Sequence, residues 1–401
     1  MRIFAFEGLR YGERAGEAGP LAAPPYDQIN DAARDRFHDQ DPHQFVHLTR
    51  PLAAAAGDPF QSAKALHDRW LAEGWIVREG RPALYPYVIE IATGGERLGL
   101  LALVRLEDAK VIRPHEQTLD KPLAERLSLL EAMRVDLEPA LLLSEDGGRL
   151  DPLLRENLQG AEPLVRHQDA DGNVHLLYRI DDPERIARYR EVHDVSSAIA
   201  DGHHRYKVAQ RFAAGHNPPP ESAATAKLAV VTSLDSPALT IDPIHRAFKT
   251  PVDRAKLLPL ASSVSHFEGE GGLALAAAVA EAVQPALGIF VHGERPQIWH
   301  WSREGGGRLA VEIFQDEVLP ALGLPPEAST DGTVVYRANP EELWAQVKSG
   351  ELGTGVFLPP MLPAAFAAAI SDGKMLPAKS TRFLPKVMSG LAWADHDSKL
   401  L

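Results

Sequence analysis

Two apolar runs, "ALYPYVIEIA" and "RLGLLALVRL", flank Gly94-Gly95 and predict a β-hairpin. Ahead of them "DPFQSAKALHDRWLAEGWI" predicts a helix, with Asp58 to cap its start and Gly74 to end it. The run "KVIRPHEQTLDKPLAERLSLLEAMRVDLEPALLLS" passes from strand through turn and helix to a second strand. "NVHLLYRI" predicts a strand and "PERIARYREVHD" a helix, followed by the apolar runs "KLAVVTSL" and "ALTIDPIHRAF". The rest alternates helices and strands, among them "LALAAAVAEAV", "ALGIFVHG", "QIWHWS" and "RLAVEIF"; "PEELWAQVKSG" predicts a helix ended by Gly350, and "TGVFLPPM" a strand. The pattern gives an α+β or mixed α/β class. It divides the chain into residues 1–105, 106–250 and 251–401.

Composition narrows the function classes. The net charge is −13, which argues against a dominant nucleic-acid contact. Cysteine is absent, so disulfides, thiolate zinc sites and cysteine nucleophiles are excluded, and a reducing cytoplasm is compatible. No run of eighteen apolar residues is present, so no membrane partner is expected, and the first residues hold no apolar core long enough for a signal peptide.

The densest chemistry is "ADGHHRYKVAQRF", which follows the apolar run "VSSAI" and opens into a helix. A helix N-terminus presents unpaired backbone N–H groups and a positive dipole end, a natural seat for phosphate. Gly202 lets the backbone approach closely, Arg205 offers a planar fork of donors, and His203 and His204 add donors. Asp201 can cap the helix or hold a magnesium ion that bridges phosphates. The plainer alternative is an Asp-Gly surface turn with a polar cluster.

Two further stretches carry candidate groups. In "VIRPHEQT", Glu116 is a candidate general base and His115 a candidate acid or phosphate donor; the alternative is a helix start with Gln117, Thr118 and Asp120 as caps. In "GKMLPAKSTRFLPK", Lys379, Ser380 and Thr381 form a candidate phosphate-binding trio, although the glycines of a Walker A loop are missing.

"ADGHHRYKVA" resembles the phosphate-binding box of the ParB/sulfiredoxin-like fold. With "APPYD", "PHEQT", "PIHRAF" and "PAKSTRFLPK", the chain resembles the domain of unknown function 1015 family along nearly its whole length. It is also similar to the free-serine kinases of that fold, which phosphorylate L-serine to O-phosphoserine with ADP or ATP. The resemblance implies that Glu116 matches their catalytic glutamate and Asp201 to Arg205 their phosphate box. It implies a nucleotide-binding core at 106–250, with an insertion near 145–195 relative to the compact kinases, and α+β segments on either side, the C-terminal one contributing to the site. Magnesium would bridge the phosphates. An amino-acid acceptor needs a carboxylate partner, for which Arg126 and Lys121 are candidates, and an ammonium partner, for which Asp27 and Asp120 are; Tyr26, Thr118 and His245 join the substrate-site candidates.

Rival functions are weighed by residue content. A sulfiredoxin requires a cysteine that this chain lacks. A ParB-like DNA clamp requires a basic surface and a helix-turn-helix. A non-catalytic sensor of nucleotide or phosphoserine stays open, but has no need of a carboxylate such as Glu116 beside anionic phosphates.

Overall fold

The two apolar runs around Gly94-Gly95 form strands Tyr85–Glu90 and Glu96–Arg105, paired antiparallel with Tyr85 opposite Leu101 and Glu90 opposite Glu96. Gly94 and Gly95 have φ of 110° and 83°, which a tight hairpin loop needs and other residues resist. Asp58 caps the Pro59–Ala72 helix by accepting from the Phe60 amide at 2.9 Å. This computed structural model describes all residues except 53–56, 117–119, 283–284, 302–307 and 401, and leaves the side chains of 120–122 undescribed.

The chain divides into two compact units, one of Met1–Leu239 with Pro385–Leu401 and one of Thr240–Leu384. The first is built on a nine-stranded sheet. Its order is Ile112–Arg113, Ser197–Asp201, Ala140–Ser144, Ala226–Ser233, Glu96–Arg105, Tyr85–Glu90, Val174–Leu177 and Val165–Gln168, with Ile3–Phe4 beside Glu96–Arg105. Strands from both sides of residue 105 therefore share one sheet, and so do two strands from the stretch 145–195. On one face Leu98, Leu100, Ala102 and Val104 pack with Leu150, Leu153, Leu154, Ile186 and Tyr189. These last five lie on the helices Leu150–Leu158 and Pro183–Val192, so the stretch 145–195 supplies core as well as sheet edge. Elsewhere in this unit the Asp120–Met133 helix meets the His203–His216 helix through Leu123, Leu130, Val208 and Phe212.

The second unit holds an antiparallel six-stranded sheet ordered Ser263–His266, Gln297–His300, Ala286–Val291, Thr354–Phe357, His245–Phe248 and Val335–Arg337. Its central strands Ala286–Val291 and Thr354–Phe357 are buried throughout because both faces are covered. Leu287, Ile289 and Val356 meet Val311, Phe314 and Val318, while Ala286, Phe290 and Phe357 meet Leu275, Leu343, Trp344 and Val347. The class is mixed α and β, as the alternation of apolar runs predicts.

Candidate active site

The strand Ser197–Asp201 brings the two N-terminal constellations together. It pairs parallel with Ile112–Arg113, Ser197 opposite Ile112 and Ala198 opposite Arg113. Parallel neighbours end on the same edge of the sheet, so Pro114–Glu116 and Gly202–Arg205 leave side by side. The His115 amide donates to Nε2 of His203 at 3.3 Å, and the two imidazoles meet edge to face, 4.5 Å between centroids. Both rings are neutral at physiological pH. Burial pushes His115 down to about 4; burial, reinforced by the neighbouring His115, holds His203 well below its ordinary value. His115 therefore offers neutral imidazole contacts and is no cationic acid near neutrality. Glu116, half-buried, follows it at the strand exit.

Gly202 starts the helix His203–His216 with φ 85° and ψ 32°, and no side chain caps the first turn. A Cβ here would sit 3.0 Å from the Arg205 guanidinium and 3.2 Å from the Ala140 Cα. Glycine thus serves both the left-handed backbone and the close approach. A helix start carries the positive end of the helix dipole, which favours an anion there.

Asp201 is the electrostatic centre of this turn. One carboxylate oxygen accepts the Gly202 amide at 3.0 Å; the other accepts from Arg205 at 3.2 Å and from Lys386 at 3.1 Å. Burial alone would raise its pKa, but Lys386 and Arg205 override that and hold the carboxyl well below the usual range. Arg205 also donates to the Pro139 carbonyl and lies 3.9 Å from Asp27. It is buried and braces the turn from beneath, where the sequence suggests a fork that could reach phosphate. Asp201 likewise departs from the expected metal ligand. A divalent ion there would have to displace Arg205 or Lys386, and the residues do not fit one. Among the described residues no group of three or more histidine, aspartate or glutamate side chains is placed to hold a metal.

A second network stands beside the first. Glu138 accepts the Tyr26 amide at 2.8 Å, and the Arg126 guanidinium lies 4.4 Å over the Tyr26 ring. Arg126 donates to the Thr49 carbonyl at 2.6 Å and to Glu125 at 2.8 Å, with Glu138 at 4.0 Å. The predicted substrate-carboxylate partner is thus already engaged by protein groups, and Tyr26 forms its stacking surface. Asp27, the predicted ammonium partner, is partly exposed beside Arg205.

His245, Lys379, Ser380 and Thr381 belong to the second unit. His245 is buried in that unit's sheet, where Nδ1 accepts the Leu358 amide at 3.1 Å and burial pushes the ring down to about 4. Ser380 donates to the Pro377 carbonyl within a tight turn, and Lys379 is exposed with φ 58°. Thr118 lies outside the described residues, as do the side chains of Asp120 and Lys121.

Lys386 and Glu138 are the groups that sequence reasoning missed. Lys386 sits in the quoted "STRFLPK", but nothing local marks it as the partner of a residue 185 positions earlier. Glu138 is an isolated acid just before the Ala140–Ser144 strand; an acid at the mouth of a fully buried strand was the available signal.

The family described as "Protein of unknown function (DUF1015)" matches residues 3–295. The chain belongs to this family. No curated protein matches it. Among solved structures this DUF1015 chain is similar to a conserved hypothetical protein from Pyrococcus furiosus, at 16% identity and TM-score 0.39 over 72% of this chain and 94% of that one. It is also similar to a free serine kinase in complex with AMP, at 16% identity and TM-score 0.40 over 71% and 87%. A third likeness is to SbnI with a C-terminal truncation from Staphylococcus aureus, at 14% identity and TM-score 0.36 over 72% and 85%.

Proposed function

We propose that the chain is a small-molecule kinase. It transfers a phosphoryl group from ATP or ADP to the hydroxyl of a free amino acid, L-serine foremost, on a ParB/sulfiredoxin-like nucleotide-binding core, in the cytoplasm. The observation that supports this is the parallel pairing of Ile112–Arg113 with Ser197–Asp201, which brings the chain leaving Arg113 to the start of the His203–His216 helix, with His115 on His203. Phosphoryl transfer needs positioned phosphates and a group to take the hydroxyl proton, and little covalent help. The first-turn amides of the His203–His216 helix seat the donor phosphates. Asp201, Arg205 and Lys386 lock the turn that aims those amides. Neutral His115 and His203 line the same edge without adding charge. Glu116 accepts the acceptor's proton as its oxygen bonds to the terminal phosphorus. The bridging P–O bond breaks, leaving ADP from ATP or AMP from ADP.

Among the described residues no helix is long and apolar enough to cross a membrane. Purified protein with magnesium, ATP or ADP and a panel of free amino and hydroxy acids, followed by phosphorus NMR, tests the proposal. A phosphomonoester from L-serine is the expected product. Nucleotide binding without transfer to any acceptor would replace the kinase with a nucleotide- or phosphoserine-binding regulator.

A further inference from the structure

Arg97 is a buried cation whose terminal nitrogens go unpaired among the described residues. It is 2% exposed, and neither terminal nitrogen of its guanidinium has a hydrogen-bond partner among the described residues. Burial costs the charged form and pushes its pKa down to about 10. A guanidinium carries its donors in a fixed fork, and leaving them unmet in the interior disfavours the folded state. The position is otherwise well suited to an apolar residue: Arg97 lies opposite Ile89, in a hairpin whose other residues are largely buried.

The strand register shows which face Arg97 uses. Side chains alternate along Glu96–Arg105, so Arg97, Gly99 and Leu101 share the face opposite Leu98 and Leu100. Leu101 pairs with Val230, Val230 with Leu141, and Leu141 with Asp201, which carries that face across the sheet to the phosphate turn. Asp201 is the acid that bears on Arg97. That carboxylate is already held by Arg205 and Lys386. Thr232 is on the same face, its hydroxyl 3.1 Å from where a Gly99 Cβ would stand, and it too is fully buried with no hydrogen-bond partner among the described residues. Tyr87, another polar neighbour, is spent: its hydroxyl meets His175 Nδ1 at 2.6 Å and accepts the Met388 amide at 3.2 Å.

We propose that Arg97, with Thr232 beside it, is an anion-binding site on this face, taking an oxyanion of the bound small molecule through the open fork of Arg97. Both a nucleotide phosphate and an amino-acid carboxylate have this chemistry. The inference rests on the kinase reading only in placing the small molecule on this face; it needs binding and no turnover.

The test uses the full chain and reads thermal unfolding and calorimetric affinity. Wild type, Arg97→Met and Arg97→Lys are each titrated with ADP against adenosine and with L-serine against ethanolamine, pairs that differ by the oxyanion. Arg97→Met removes an unmet buried charge, so its melting temperature without ligand should equal or exceed wild type. Its affinity should fall at least tenfold for one oxyanion-bearing probe and stay unchanged for that probe's counterpart without the oxyanion. Arg97→Lys should lose less than Arg97→Met. The pair that responds says which oxyanion Arg97 takes. A lower melting temperature or failure to fold in Arg97→Met would overturn the proposal, because it would mean that protein groups hold the guanidinium. Equal affinities in wild type and Arg97→Met, or no binding of either oxyanion-bearing probe to wild type, would overturn it as well. Absence of phosphoryl transfer with Arg97-dependent binding intact would sink the kinase alone.

Discussion

Replacing Asp201 by asparagine should destabilise the first unit by about 2–4 kcal/mol. The substitution keeps the shape and the Oδ1 acceptor for the Gly202 amide, and removes the charge that Arg205 and Lys386 share. Removing one member of a buried ion pair costs roughly 3–5 kcal/mol, because the partner stays buried and unpaired. Two features lower that figure here. The Asp201 and Lys386 side chains are 20% and 17% exposed, so water recovers part of the loss. Asp27, at 3.9 Å, still faces Arg205. The assay is urea unfolding followed by tryptophan fluorescence, with Lys386→Met and the double variant completing a cycle. A coupling of about 1–2 kcal/mol between positions 201 and 386 is expected for groups in direct contact. A loss below about 0.5 kcal/mol with no coupling would refute the claim that Asp201 anchors the turn through these cations. It would also reopen its role as a free metal ligand.

Gly202→Ala should cost about 1–3 kcal/mol, since an alanine at φ 85° is strained and its Cβ would press on the Ala140 backbone; differential unfolding measures it, and an unchanged stability would remove the geometric argument for glycine. Arg205→Ala should lower stability and nucleotide affinity together, because it frees the Pro139 carbonyl and Asp201 at once; calorimetry on a folded variant with unchanged affinity would separate Arg205 from the phosphate seat. Burial pushes His115, His175, His193 and His396 down to about 4 from an ordinary value of 6.5. The unfolded chain therefore binds protons first, so their contribution is complete above 6.5 and lost as pH falls toward 4, at about 1.4 kcal/mol per pH unit for each ring. Unfolding midpoints that stay flat from pH 7 to 5 would contradict this.

Much of this architecture is legible in local pattern. Apolar runs broken by Gly94-Gly95 can only be a hairpin, and "AIADGHHRY" marks a strand entering a helix over a left-handed glycine. Strand adjacency is legible to the extent that two strand exits carry complementary chemistry, and Ile112–Arg113 does lie beside Ser197–Asp201. What local pattern hides is who pairs with whom. Arg205 and Arg126 look like ligand-binding arginines because a sequence does not show the Pro139 and Thr49 carbonyls that claim them. His115 looks like a proton donor because its burial depends on His203, 88 positions away. The C-terminal segment from Pro385 returns to the first unit and delivers Lys386 to Asp201, a closure that no run of residues announces.

The central claim is that Glu116 takes a proton during phosphoryl transfer, and Glu116→Gln tests it most directly. The amide keeps the size and reach of the carboxylate but cannot accept a proton at neutral pH. Single-turnover mixing with nucleotide, magnesium and L-serine, beside calorimetry on the same samples, separates chemistry from binding. The account predicts unchanged nucleotide affinity and a transfer rate lower by on the order of a hundred- to ten-thousand-fold. Equal transfer rates in wild type and Glu116→Gln would contradict it.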